Sequence, residues 1–72
     1  MNFELSPHVY ERLQERHIPL QVLKLVLEDP QQVIIQEDGT KADQSKVVLR
    51  NKTYLLRIFV NDSVNPVRVK SV

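Results

Sequence analysis

At Pro30 the hydrophobic rhythm of the chain changes, and that change constrains the fold more than any other feature. Upstream, apolar residues recur every three or four positions; downstream they alternate or run together in short β-rich stretches. Ser6 is a good helix N-cap and Pro7 suits the first helical position. The first helix is expected from about Pro7 to Arg16, with Val9, Tyr10 and Leu13 facing inward. Pro19 interrupts it and opens a second helix to Glu28, which buries Leu20, Leu23 and Leu27 with Val22 and Val26 flanking. That helix stops at Asp29, because a residue preceding proline avoids helical geometry.

After Pro30, Gln32 to Glu37 reads as a strand ending in the turn signal Asp38-Gly39. The polar stretch to Gln44 reads as a loop. Lys46–Arg50 and Thr53–Val60 read as strands joined by Asn51-Lys52, and Val67–Val72 follows the loop Asn61–Pro66 as a last strand. Phe3–Leu5 is long enough only for a very short strand, which three residues do not settle. The fold class is therefore α+β: two N-terminal helices packed on a four-stranded, mainly antiparallel sheet. Val9, Leu13, Leu20, Leu23, Leu27, Leu49, Leu56 and Ile58 are the expected core.

A chain of 72 residues is one domain, 1–72, and 42% hydrophobic residues with a single glycine suit a folded core better than a linker. The absence of cysteine excludes disulfides and thiolate metal sites. His8 and His17 lack metal-ligand spacing, so neither a metal nor another cofactor is expected. Nothing at the start resembles a signal peptide and no apolar run reaches membrane-spanning length, so a cytoplasmic location is the expectation. The net charge is only +1. Any case for an anionic partner must come from where the charges sit.

With Asn51-Lys52 as a two-residue turn, Arg50 faces Thr53, Val48 faces Leu55 and Lys46 faces Arg57. Alternation then puts Lys46, Val48, Arg50, Leu55, Arg57 and Phe59 on one sheet face, joined by Arg68 and Lys70. Val47, Leu49, Tyr54, Leu56, Ile58 and Val60 form the opposite, apolar face that receives the helices. The first face carries five cations and no acid at those strand positions. Two readings fit it: a solvated face whose lysine and arginine stems cover apolar surface, or a phosphate-binding surface. Lys46 opposite Arg57 leans toward the second, since like charges destabilise a strand pair and an anion relieves them. An exposed edge strand on the Val72 side would allow either a monomer or a weak homodimer.

On the first helix His8, Arg12 and Arg16 step by four and form one stripe, with Glu11 and Glu15 beside it. Read from physics alone, these are an exposed histidine and two solvated arginines. The stretch "LSPHVYERLQERHIPLQVLKLVLEDPQQVI", however, resembles the start of the small prokaryotic family called domain of unknown function 4258. The matching positions are Ser6, His8, Arg12, Glu15, Arg16, Ile18, Asp29, Pro30 and Arg57. The similarity spans nearly the whole chain. Members continue past the last strand with an aromatic and more basic residues, whereas this chain stops at Ser71-Val72, so the resemblance implies a missing C-terminal tail.

The family has been likened to the compact ribonuclease fold of RelE-like and BrnT-like bacterial toxins, with helices on a small sheet. The resemblance thus implies a RelE/barnase-like architecture and a metal-independent endoribonuclease or toxin-like domain acting on RNA. In that reading His8 is the base or acid. Arg12, Arg16 and Arg57 form the phosphate clamp, with His8 and Arg57 as the catalytic pair. Lys46, Arg50, Arg68 and Lys70 extend the RNA-binding surface, and Tyr54 is a weaker candidate on the buried face. The alternative is a non-catalytic module that uses the same basic sheet face to hold RNA or a protein partner such as an acidic antitoxin segment. Only the enzyme needs His8 in one cleft with Arg12, Arg16 and Arg57.

Overall fold

The computed structural model describes residues 2–72. Along the chain lie β1 (Phe3–Leu5), α1 (Pro7–Glu15), α2 (Leu20–Glu28), β2 (Gln32–Ile35), β3 (Lys41–Leu49), β4 (Lys52–Asn61) and β5 (Val67–Ser71). The two helices and the α+β class agree with the sequence. The sheet does not: it has five strands in the order β1-β5-β4-β3-β2, not four. It is also mixed, because β1 runs parallel to β5 and pairs Phe3 with Val67 and Leu5 with Val69. Three residues suffice for β1 because Phe3 and Leu5 both pack against the core while β5 supplies a neighbouring backbone. The Val72-side strand is consequently interior to the sheet, and the free edges are β1 and β2. Among the described residues no helix is long and apolar enough to cross a membrane.

Local chemistry sets the helix ends. Ser6 Oγ accepts the Val9 N–H at 3.2 Å, with Pro7 in the first turn. At the other end Ile18 N–H reaches the Leu13 carbonyl at 2.9 Å and His17 N–H the Gln14 carbonyl at 3.2 Å. This is a Schellman closure, and His17 takes the left-handed position (φ 53) usually given to glycine. α2 ends at Asp29, immediately before Pro30.

The β3–β4 hairpin turns at Arg50-Asn51, one residue earlier than the sequence suggests. Both residues have positive φ, 51 and 65, the signature of a type I′ turn whose twist matches the flanking strands. Leu49 therefore pairs with Lys52, Lys46 with Leu55 and Gln44 with Arg57. Moving the turn by one residue moves the pairing by two, so every strand side chain keeps its expected face.

The stretch read as a loop up to Gln44 is the first half of β3, and β2 is shorter than expected, ending at Ile35. Asp43, Gln44 and Ser45 are buried although none is apolar. Polar groups are tolerated inside when partnered. Gln44 bonds Gln32 and Arg57, and Ser45 Oγ accepts the Gln31 N–H at 2.9 Å.

α1 and α2 cover one sheet face, packing Val9, Leu13, Leu23, Val26 and Leu27 against Leu56, Ile58, Val60 and Val69. Tyr10 and Leu20, expected inside, are 48% and 40% exposed. Each nine-residue helix turns only a narrow stripe to the sheet, and these two residues fall beside it. Leu49 is half-buried near the hairpin end. Truncating Ile58, fully buried, to alanine should cost about 2–5 kcal/mol. Leu55→Ala, at 56% exposure on the other face, should cost under about 1 kcal/mol. Denaturant unfolding of both variants checks this, and equal losses would mean the faces are reversed.

Candidate nucleic-acid interface

Leu56 and Ile58 are buried beneath the helices, so Leu55, Arg57 and Phe59 point to the opposite, open face. From β3 they are joined by Gln44, Lys46 and Val48. The register aligns Gln32, Gln44 and Arg57 across three strands. Arg57 Nε donates to Gln44 Oε1 at 2.8 Å, and the Gln44 amide donates in turn to Gln32 Oε1. This row anchors one side of the guanidinium, while its terminal N–H groups bond no acceptor among the described residues. Exposed Leu55 and Val48 lie beside Arg57 and Lys46.

The register corrects the charge picture in four places. Lys46 faces Leu55 rather than Arg57, so the like-charge apposition does not occur. Arg68 has Glu4 beside it on β1, an acid on a face expected to hold none. Lys70 lies near Asp38, whose carboxyl is held below its ordinary value by hydrogen bonds from Thr40 and, secondarily, by that lysine. Arg50 is not on the strand face at all. Its guanidinium donates to the His17 carbonyl at 2.8 Å and the Arg16 carbonyl at 3.4 Å. It clips the hairpin turn to the exposed carbonyls at the end of α1, where a cation suits the helix dipole.

His8 lies elsewhere. α1 turns Val9 and Leu13 to the sheet, and His8, Arg12 and Arg16 run along its exposed flank. Arg12 Nη2 lies 3.3 Å from His8 Nε2, and Arg16 donates to the Val72 carbonyl at 3.3 Å. The sheet stands between this stripe and Arg57. The one cleft expected to unite His8, Arg12, Arg16 and Arg57 is therefore not formed. A helix that buries Val9 must sit where Leu56 and Ile58 point, and Arg57 alternates away from both. What the helix side does assemble is a cleft of about 310 Å³ bounded by Arg16, Ile18, Leu49, Arg50 and Tyr54. Tyr54 is on the helix face as expected but is 43% exposed there.

One group escaped the sequence reading. Asp43 is buried on the helix side of β3, facing the Val33 position of β2. Burial raises its carboxyl above the ordinary range, with the Lys41 charge opposing and Asp62 adding. Lys41 itself forms a salt bridge with Asp62, which raises the lysine and lowers the aspartate. Comparison of the chain with known protein families, characterised proteins and solved structures finds no match.

Two outcomes follow from these contacts. Arg50→Ala should lower stability by about 1 kcal/mol through loss of the helix clip, while Lys52→Ala should be nearly neutral. Chemical denaturation compares the two. For Asp43, the folded state holds the proton more tightly than the unfolded chain does. Its contribution is therefore most favourable at acid pH and is lost as pH rises from the ordinary carboxylate range through the raised value. Asp43→Asn should raise Tm at neutral pH, with the gain shrinking on acidification. Thermal melts showing no gain at neutral pH would contradict this.

Proposed function

We propose that the domain is a non-catalytic binding module whose open sheet face holds single-stranded RNA. The observation that carries this reading is that Arg57, tethered through Gln44 to Gln32, and Lys46, diagonal to it across the strand pair, share a face that the helices leave uncovered. From Gln44 to Asn61 the chain carries Lys46, Arg50, Lys52 and Arg57 and not one acid, so this hairpin is locally cationic although the net charge is +1. Phosphates would lie on Arg57 and Lys46, with the exposed Gln32 offering its amide N–H to a base while the buried Gln44 holds the row in place. The resemblance to domain of unknown function 4258, and through it to the ribonuclease-type toxins, supports RNA as the ligand class and a RelE-like arrangement of helices on a small sheet. An endoribonuclease mechanism draws less support, because His8 and Arg57 stand on opposite sides of the sheet.

Exposed Leu55 and Val48 favour a second reading, in which the same face takes an acidic, partly apolar segment of a partner protein of the antitoxin kind. Fluorescence anisotropy with labelled single-stranded RNA separates the possibilities. Affinity should fall steeply with added salt. Arg57→Glu or Lys46→Glu should weaken binding at least tenfold, whereas Lys41→Glu, on the helix face, should change it little. His8→Ala should leave binding unchanged, and the wild-type protein should leave RNA intact without divalent metal. A larger loss from Tyr54→Ala than from Arg57→Glu would move the site to the helix-side cleft. Binding to an acidic peptide but not to RNA would establish the second reading, and cleavage abolished by His8→Ala would restore the enzyme.

A further inference from the structure

The two free edges of the sheet differ in how they are protected. β1 is three residues long and carries the charged Glu4 at its centre. β2, "QVII", has no charge, no proline and no bulge, and all four of its residues are exposed. Val33, Ile34 and Ile35 are 47%, 39% and 74% exposed, an unusual display for an edge that solvent would otherwise meet. Unguarded, apolar edges of this kind pair with another strand.

The hydrogen-bond pattern says how. Gln36 N–H donates to the Thr40 carbonyl at 2.9 Å, which makes Gln36 and Thr40 a hydrogen-bonded pair in the β2–β3 register. Antiparallel pairs alternate, so Ile34 and Gln32 also direct their backbone groups toward β3, while Val33 and Ile35 direct theirs outward. Val33 and Ile35 also share a sheet face, the one bearing the helices, and Ile34 lies on the open face.

From this geometry we infer that β2 is the contact between two copies of this chain, paired antiparallel about a dyad through Ile34. In that register Val33 of one copy faces Ile35 of the other, and each such pair exchanges both outward backbone hydrogen bonds. Residues opposite each other lie on the same face, as a continuous sheet requires. Backbone and side-chain parity also allow dyads through Val33 or Ile35, but only the dyad through Ile34 gives Val33, Ile34 and Ile35 all apolar partners, and it is self-complementary, as a two-fold dimer demands. It places two Val33–Ile35 contacts on the helix side and Ile34 against Ile34 on the other. The dyad stands perpendicular to the sheet, so both open faces look the same way. The contact is small, which makes the dimer reversible. The inference does not depend on what the open face binds.

The chain has no cysteine, which allows a direct test. On the dyad, Ile34 forms a non-hydrogen-bonded pair with Cα atoms about 4.5 Å apart, within disulfide reach. Ile34→Cys should cross-link rapidly under mild oxidation, and Val48→Cys, 71% exposed on the same face, should not. Sedimentation of the wild-type protein at high micromolar concentration should give twice the chain mass of 8.4 kDa. Ile35→Lys sets a charge against the apolar Val33 of the partner and should leave a monomer with an unchanged circular dichroism spectrum. A wild-type monomer throughout that range, equal cross-linking of the two cysteine variants, or an Ile35→Lys protein that still dimerises would each overturn the inference.

Discussion

The Arg50-Asn51 turn is the constraint on which the rest of the molecule depends. Two left-handed residues close the hairpin with the twist that its strands need, and closure fixes which residues of β3 and β4 oppose each other. From that register follow the buried row Leu56, Ile58 and Val60, the helices that must cover it, and the Gln32–Gln44–Arg57 row on the other side. Arg50 ties the turn back to the end of α1, so one residue both shapes the hairpin and caps the helix. The helix end it caps is closed by His17 in a conformation that glycine would adopt with less strain.

The sheet therefore acts as a partition. On its helix side lie His8, Arg12, Arg16, Arg50 and Tyr54, together with the buried Asp43. On its open side lie Arg57 and Lys46, with Arg68 and Lys70 tempered by Glu4 and Asp38. Mechanisms that need an imidazole and Arg57 at one phosphate are at odds with this partition. Binding to an extended anion needs only one side of it.

Much of this was legible from the residues, and the failures have physical causes. The helices were readable because Ser6, Pro7, Pro19 and Pro30 punctuate them. The sheet faces were readable because period-two alternation survives a misplaced turn. The first half of β3 is missed because three of its buried residues, Asp43, Gln44 and Ser45, are polar, and hydrophobic periodicity does not register buried polar residues. The Asp38-Gly39 turn was a usable clue there, since a tight hairpin implies a partner strand directly after it. β1 was undecided because a three-residue strand draws its stability from β5, more than sixty residues away. The pairing of Glu4 with Arg68 was hidden for the same reason. The stripe of His8, Arg12 and Arg16 was real, but a helical stripe does not say which side of a sheet the helix occupies relative to a particular strand residue.

In the proposed binding mode the ligand lies on the open sheet face and not on the helix flank. Backbone amide NMR shifts, followed while single-stranded RNA is added to labelled protein, test it most directly. The largest changes are expected at Gln32, Gln44, Lys46, Leu55 and Arg57, with the amides of α1 nearly still. Changes centred on His8, Arg12 and Arg16, with the Gln44 and Arg57 signals unmoved, would contradict it.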